Sequence, residues 1–159
     1  MKISSMLIVI LLIAGLTGFI FLSYSSRSKT PPGLVLSRLS HCPDKPNCVC
    51  SEENKNDSHD ITPISLPPDI SHATLIQRII SVLSDMGGSI ISHNDSYVAA
   101  TFTSPIFRFI DDFEIRIDHE KQRLHIRSAS RLGYSDFGVN KKRAETFKSM
   151  FISANNANT

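Results

Sequence analysis

Apolar side chains are concentrated at the amino terminus of the chain. From Met6 to Leu22 no side chain is charged, so this segment approaches the roughly 20 apolar residues that a helix needs to cross a bilayer. Tyr24 has the position of an interfacial anchor, and Arg27 follows as a charged stop. Residues 1–24 are therefore predicted to form a transmembrane anchor that contacts the membrane through residues 6–24.

A cleaved signal peptide is the alternative for this segment. Lys2 and the triplet Ser23-Tyr24-Ser25 fit a signal peptide, but the apolar run exceeds the usual length of about 7–15 residues. A buried core helix is not expected, because a helix that is apolar on all sides needs protein all round it. Arg27 and Lys29 after the run favour a cytoplasmic domain, whereas the short amino-terminal tail and the cysteines favour an exported, periplasmic domain. We expect the exported orientation.

The rest of the chain divides into a linker, one domain and a tail. Residues 25–35 are rich in Ser, Lys, Pro and Gly and are predicted to form an extended linker. Residues 36–153 carry the periodic segments of one domain, within which the polar stretch 51–60 is predicted to be a loop. Residues 154–159 are small and polar and are predicted to form a flexible tail.

Two helices are predicted inside this domain. Ser71 can cap the first helix, and Gly87-Gly88 can supply the left-handed turn that ends it. Asn140 is the predicted cap of the second helix. Apolar residues recur at helical spacing in both segments: Leu75, Ile76, Ile79, Ile80, Leu83 and Met86 in the first, and Ala144, Phe147, Met150 and Phe151 in the second.

Between and before these helices, alternating or β-rich segments predict strands. If Asp118 pairs with Arg123 across the loop between the last two strands, Glu114 faces Arg127. The strand segments are Ile61–Leu66, Gly88–His93, Tyr97–Thr103, Phe109–Asp118 and Arg123–Arg131. The order of helix, strands and helix argues against a parallel sheet. The predicted fold class is α+β, with a small antiparallel sheet of four to five strands, two helices on one face, and one transmembrane helix before them.

Composition narrows the class of protein. A length of 159 residues suits one domain and excludes a multi-domain enzyme. The chain has 17 Lys+Arg against 15 Asp+Glu, a net charge of +2, so no nucleic-acid partner is expected.

The three cysteines leave several interpretations open. Cys42 and Cys48 enclose a short loop with two prolines, and in an exported protein a disulfide is the natural outcome. Cys50 would then keep its thiol or exchange with the other two. Three reduced thiols are a second interpretation, and a metal site recruiting His41 and His59 is a third, although the spacing matches no zinc pattern.

A charged constellation near the carboxyl terminus supplies the candidate ligand-binding residues. The first hypothesis is a network of ion pairs that fixes loops to the sheet. The second is a site for an anionic ligand, a lipid head group or an envelope protein, because cations in the first turn of the last helix oppose the helix dipole unless an anion compensates. The candidate residues are Asp111, Asp112, Arg127, Arg131, Asp136, Asn140 and Arg143.

Patterns for catalysis are missing from the sequence. It contains no Gly-rich phosphate loop, no GxSxG and no HExxH, so no catalytic residue, cofactor or metal ligand is predicted. Asp111 and Asp112 are adjacent in a strand and are expected to point to opposite faces, which argues against paired acid/base carboxylates. We therefore expect a non-enzymatic, membrane-anchored envelope protein. A small thiol-dependent or hydrolytic enzyme using Cys48 or Cys50 is the alternative.

Three stretches also carry a resemblance to a known family. The segments CPDKPNC from Cys42, YVAATFTSPIFRFIDDFEIRID from Tyr97 and IRSASRLGYSDFGVNKKR from Ile126 resemble the domain of unknown function family 1499. The resemblance covers about residues 36–153. It implies that Cys42 and Cys48 are the matching pair and that Cys50, where the family usually has Ser, is an extra thiol. Members look like bacterial envelope-associated or plastid proteins without an assigned activity.

The resemblance also implies a set of motif residues without roles for any of them. The set consists of Asp111, Asp112, Arg127, Ser128, Ser130, Arg131, Asp136, Gly138, Asn140 and Arg143.

Overall fold

The structure is a computed structural model that describes residues 2–52, 59–67 and 70–156. Residues 53–58 of the predicted loop and 157–159 of the predicted tail therefore lie outside the described residues. The elements are α1 (Lys2–Arg27), β1 (Leu34–Val35), β2 (Arg38–Leu39), β3 (Cys48–Cys50), β4 (Ile64–Ser65), α2 (His72–Asp85), β5 (Ser89–Asn94), β6 (Tyr97–Thr103), β7 (Ile110–Asp118), β8 (Arg123–Ser130) and α3 (Val139–Asn156).

The protein is an α+β protein built on an antiparallel sheet. Among the described residues this sheet has six strands, in the order β3-β8-β7-β6-β5 with β4 also pairing with β8, and β1 and β2 form a separate hairpin. The predicted count of four to five strands was too low. Strand β3 has only three residues, all buried, so it carries no alternation that a sequence pattern could detect.

The predicted register of the two longest strands is confirmed. Asp118 pairs with Arg123, and Glu114 pairs with Arg127. This register sends the apolar residues of β7, such as Phe113 and Ile115, to one face of the sheet, because successive side chains alternate between faces. Asp112, Glu114, Arg116 and Asp118 of β7 consequently share the other face, which we call the outer face.

Helices α2 and α3 pack together on the apolar face and close the main core. The Ser71 hydroxyl accepts a hydrogen bond from the Thr74 N–H, which confirms the predicted cap of α2, and the chain leaves this helix through Gly87 with φ of 83°. The buried residues that these helices contribute are Leu75, Ile76, Ile79, Val82, Leu83, Ala144, Phe147 and Phe151.

The predicted cap of α3 was wrong. Helix α3 begins at Val139, so Asn140 lies inside its first turn. The Asp136 carboxylate accepts hydrogen bonds from the N–H groups of Gly138 at 3.0 Å and Asn140 at 2.7 Å, and thereby satisfies this helix end. Asn140 is buried instead, and its side-chain amide contacts residues of β8 and the segment before β3.

The segment between α1 and the domain differs from the predicted extended linker. Helix α1 continues to Arg27, and the residues after it lie along the outer face of the sheet. The Gly33 N–H donates to the Glu114 carboxylate, and the Lys29 ammonium donates to the Arg131 carbonyl. The acceptors for these residues are polar groups of the sheet. The composition of residues 25–35 does not reveal that this segment packs on the sheet.

Candidate functional site

The candidate charged residues are divided by the sheet between its two faces. Asp111 pairs with Arg143 on the helix face at 3.0 Å, and Asp112 pairs with Arg131 on the outer face at 2.7 Å. The prediction that the two adjacent aspartates point to opposite faces is consistent with this arrangement. The seven candidate residues therefore do not form one surface.

Glu114 and Arg127 form a buried ion pair at the centre of the outer face. Glu114 has 0% of its surface exposed and accepts a hydrogen bond from Arg127 at 2.7 Å. Its other oxygen accepts from the Tyr97 hydroxyl at 2.6 Å and from the Gly33 N–H at 3.0 Å. Burial raises the pKa of Tyr97 well above its ordinary value, and the hydrogen bond to Glu114 adds to that shift. The Glu114 carboxylate thus accepts hydrogen bonds from three donors of the same chain.

Arg131 joins the sheet to the end of α1. Its guanidinium binds both oxygens of Asp112 and donates to the Ser26 carbonyl at 3.0 Å. Ser26 is fully buried, and its hydroxyl accepts from the Ile110 N–H at 2.9 Å. The guanidinium of Arg131 thus donates to a carboxylate and to a backbone carbonyl of the same chain.

Asn140 connects α3 to the strand edge. Its amide donates to the Asn47 carbonyl at 3.1 Å and the Ser130 hydroxyl at 2.9 Å, and also contacts Asp136. Its carbonyl accepts from the Ser128 hydroxyl at 2.5 Å. Arg143 completes this corner: it donates to the Asn140 carbonyl and stacks over the ring of Phe102.

Within the described part of the chain, these contacts assign the candidate residues to internal ties between elements. Two buried side-chain atoms there have no hydrogen-bond partner, Asn47 Oδ1 and Arg127 Nε. None of the seven candidate residues lines a polar cavity that lies beside the turn between β7 and β8.

That polar cavity, with a volume of about 650 Å³, opens at the end of the sheet formed by the β7–β8 turn. The sequence analysis did not identify this cavity as a site, although the predicted register pairs two of its lining residues, Asp118 and Arg123. Its lining residues are Arg38, Ser51, Glu52, Asp60, Ile61, Thr62, Pro63, Arg116, Asp118, Lys121, Arg123 and His125.

Glu52 organises the inner wall of this cavity. Its carboxylate accepts hydrogen bonds from Arg116 and from the Leu39 N–H, the latter at 2.7 Å, and Arg38 reaches it at 3.4 Å. His125 lies 3.7 Å from the same carboxylate. Glu52 is almost fully buried, and Arg116 and Arg38 compensate its charge on this wall.

Two groups of the cavity titrate away from their ordinary values. Burial lowers the pKa of His125, and this effect outweighs the nearby carboxylate of Glu52, which raises it. For Asp118, burial alone would raise the pKa, but hydrogen bonds from the Lys121 N–H and from Arg116 hold it below the ordinary value. At neutral pH the histidine is therefore neutral and the aspartate is charged.

Protonation of His125 is expected to destabilise the protein as the pH falls. Because its pKa in the folded protein lies below the ordinary 6.5, the unfolded chain binds the proton more readily and stability is lost as pH falls through that value. Melting temperature measured between pH 7 and about 5 should decline less steeply in His125→Gln than in the wild type. The matched control is His93→Gln on exposed β5, which should retain the wild-type slope. Equal slopes in all three proteins would contradict the assignment.

The cysteines have separate states. Cys42 and Cys48 form the predicted disulfide, closing a loop with a sequence separation of 6, for which the chain-entropy relation gives roughly 2 kcal/mol. Cys50 is a fully buried thiol beside Leu39 and Tyr97. No group of three or more metal-ligating side chains is found among the described residues.

Comparison with known families gives a match over most of the chain that follows α1. The model of the family described as protein of unknown function (DUF1499) matches residues 38–151. The chain belongs to this family. The match includes every residue that lines the polar cavity and leaves out α1 and Ser26. No curated protein matches the chain.

Proposed function

We propose that this member of the family is a non-enzymatic, membrane-anchored binding module of the cell envelope. Its ligand in this proposal is a small anion that enters the polar cavity at the β7–β8 turn. The observation that carries the proposal concerns the cations of the cavity: Arg116 is held by carboxylates, whereas Lys121 and Arg123 form no ion pair with any of the described residues.

Lys121 and Arg123 are the cations available to a ligand. In the described part of the chain neither side chain forms an ion pair, whereas Arg116 is held by Glu52 and Asp118. An anion in the cavity would gain two charge-assisted contacts without breaking an existing pair. Placing the site here replaces the sequence hypothesis of an Arg/Asp surface, because the residues of that surface already bind other groups of the same chain.

The membrane anchor rests on α1. The segment Met6–Arg27 has a mean hydropathy of 2.7 and is long and apolar enough to cross a membrane, a property that a signal sequence shares. Contacts of α1 with the domain support a retained helix: Phe19 stacks on Phe107 with ring centroids 4.9 Å apart. Cleavage after Ser25 would remove that stack.

The exported orientation rests on the disulfide. A bond between Cys42 and Cys48 persists in oxidising compartments and is rare in the cytosol. The disulfide therefore supports a domain on the outer side of the membrane, although Arg27 and Lys29 follow the apolar run.

A thiol enzyme has less support from the same residues. Cys48 is held in the disulfide and Cys50 has 0% of its surface exposed, so neither offers a thiolate to a substrate in this state. The binding module is therefore the function that we propose.

Titration calorimetry of the full chain in detergent, with inorganic phosphate and with citrate as probes, tests the anion site. We expect Arg123→Gln to weaken binding about tenfold or more, since one charge-assisted hydrogen bond is lost. The matched control is Lys141→Gln, which removes an exposed cation of α3 that does not line the cavity and should bind like the wild type. Absence of binding by either probe, or equal binding by Arg123→Gln, would overturn the proposal.

A further inference from the structure

Two loops of the domain expose large apolar side chains to their surroundings. The loop 104–109 between β6 and β7 presents Ile106 and Phe107, which are 80% and 48% exposed. The loop 131–138 after β8 presents Tyr134 and Phe137, which are 70% and 98% exposed. Such side chains on a small domain indicate a surface that another apolar phase covers.

Both loops leave the same end of the sheet, and α1 joins the sheet at this end too. Thr103 pairs with Ile110, and Asp111 pairs with Ser130, so the strand ends before and after the two loops are neighbours. The last turn of α1 is fixed here through Ser26, which contacts the backbone of Ile110 and the side chain of Arg131. The four exposed apolar residues of the two loops, together with this turn, are called the anchor end below.

The position of Phe107 along α1 gives its depth relative to the helix. Its ring stacks on Phe19, which precedes Arg27 by eight residues, or about 12 Å along the helix axis. If Arg27 lies among the lipid head groups, as a charged residue at the end of a span does, Phe107 reaches the hydrocarbon region. A typical tilt of about 20° shortens this depth by less than one residue rise.

Two cations lie beside the apolar side chains of loop 104–109. Arg27 and Arg108 border a groove of about 480 Å³ whose apolar wall includes Phe19, Ile106 and Phe107. Long basic side chains can extend from such a position to the head groups while their stems stay in apolar surroundings. Anionic head groups would be attracted to these cations.

Phe137 adds an observation from backbone conformation. It has φ of 55°, a left-handed conformation that is unfavourable for a bulky residue, and its ring is almost fully exposed. The described residues do not explain this conformation or this exposure, because they leave 98% of the Phe137 surface uncovered. Insertion of the ring into the membrane interface would supply the missing apolar surroundings.

We propose that the anchor end inserts into the interface of the bilayer that α1 crosses, with anionic phospholipids as the partner. This inference rests on the membrane anchor of the proposed function. Loop 104–109 lies deeper, beside the last turns of α1, and loop 131–138 lies at the level of the head groups. The domain is thereby held against the membrane by three segments, and the polar cavity at the opposite end of β7 faces away from the lipid.

The chain contains no tryptophan, so single tryptophans can report depth in the full-length protein. We would place the protein in nanodiscs of phosphatidylcholine and phosphatidylglycerol whose acyl chains carry bromine, which quenches tryptophan fluorescence on contact. Phe107→Trp and Ile106→Trp are expected to lose most of their emission and to show a blue-shifted maximum. Ile106 is exposed enough to tolerate the change if Phe107→Trp does not fold.

Two reference variants make the outcome decisive. Leu12→Trp in the middle of α1 reports whether the helix crosses the bilayer, and Glu120→Trp in the β7–β8 turn reports a position away from it. Quenching of Leu12→Trp, Ile106→Trp and Phe107→Trp, with no quenching of Glu120→Trp, supports insertion. Quenching of Leu12→Trp alone overturns the insertion while leaving the anchor intact. Absence of quenching at Leu12 overturns both the anchor and the insertion.

Discussion

Replacing Arg127 with methionine is expected to lower the free energy of unfolding by about 3–5 kcal/mol, because a buried carboxylate loses its charged partner. Glu114 is fully buried and pairs with Arg127 at 2.7 Å. The remaining donors, the Tyr97 hydroxyl and the Gly33 N–H, are neutral and cannot compensate the charge. Denaturant unfolding of the full chain in detergent, followed by circular dichroism, measures the loss.

A double variant separates the unpaired charge from other effects of losing Arg127. Glu114→Gln combined with Arg127→Met should recover part of the stability, because glutamine is neutral and its carbonyl can still accept from Tyr97 and Gly33. The control is Glu145→Gln, which removes an exposed ion pair with Lys148 and should cost less than about 1 kcal/mol. A loss as small in Arg127→Met as in Glu145→Gln would show that the central pair is not needed for stability.

The second large effect is expected for Asn140→Ala. Truncation leaves the buried Ser128 hydroxyl without its acceptor, and it removes the Asn140 amide as a donor to the Ser130 hydroxyl and to the Asn47 carbonyl, which keeps the Ser130 N–H. The unsatisfied hydroxyl costs about 1–3 kcal/mol and each lost hydrogen bond about 1 kcal/mol, so the combined loss of unfolding free energy should reach several kcal/mol. The same denaturant unfolding experiment measures it.

Neighbouring Lys141 provides the control for this prediction. It is exposed in the same turn of α3, so Lys141→Ala removes a long side chain without touching a buried polar group. We expect this variant to unfold within about 0.5 kcal/mol of the wild type. If Asn140→Ala unfolds like Lys141→Ala, the network around Asn140 does not hold α3 to the strands.

The long central strands could be predicted from the sequence because their pattern is local. Alternation in β7 and β8, with the short loop between them, determined both the faces and the register, including the pairing of Glu114 with Arg127. Strands β1, β2 and β3 have two or three residues each. They form because β1 and β2 pair with each other and β3 pairs with the longer strand β8. Such elements depend on contacts that are distant in sequence, which periodicity does not report.

The candidate site was harder to predict for a similar reason. Sequence pattern placed Arg127 and Arg131 on a polar sheet face, and a polar face is normally read as solvated. Their burial depends on residues 26–39, which cover that face and whose composition resembles a linker. The cavity was missed because Glu52, its central carboxylate, lies in a polar stretch with no periodicity.

The attachment of the domain to the residues before it sets a boundary for the minimal folding unit. The family match begins at residue 38, yet Ser26, Lys29 and Gly33 already provide partners to Arg131 and Glu114. A chain shortened to the matched residues would remove these partners from two buried ion pairs. We therefore expect the smallest part of this protein that folds on its own to start no later than Ser26. A water-soluble form has to keep residues 26–37 and omit the apolar part of α1.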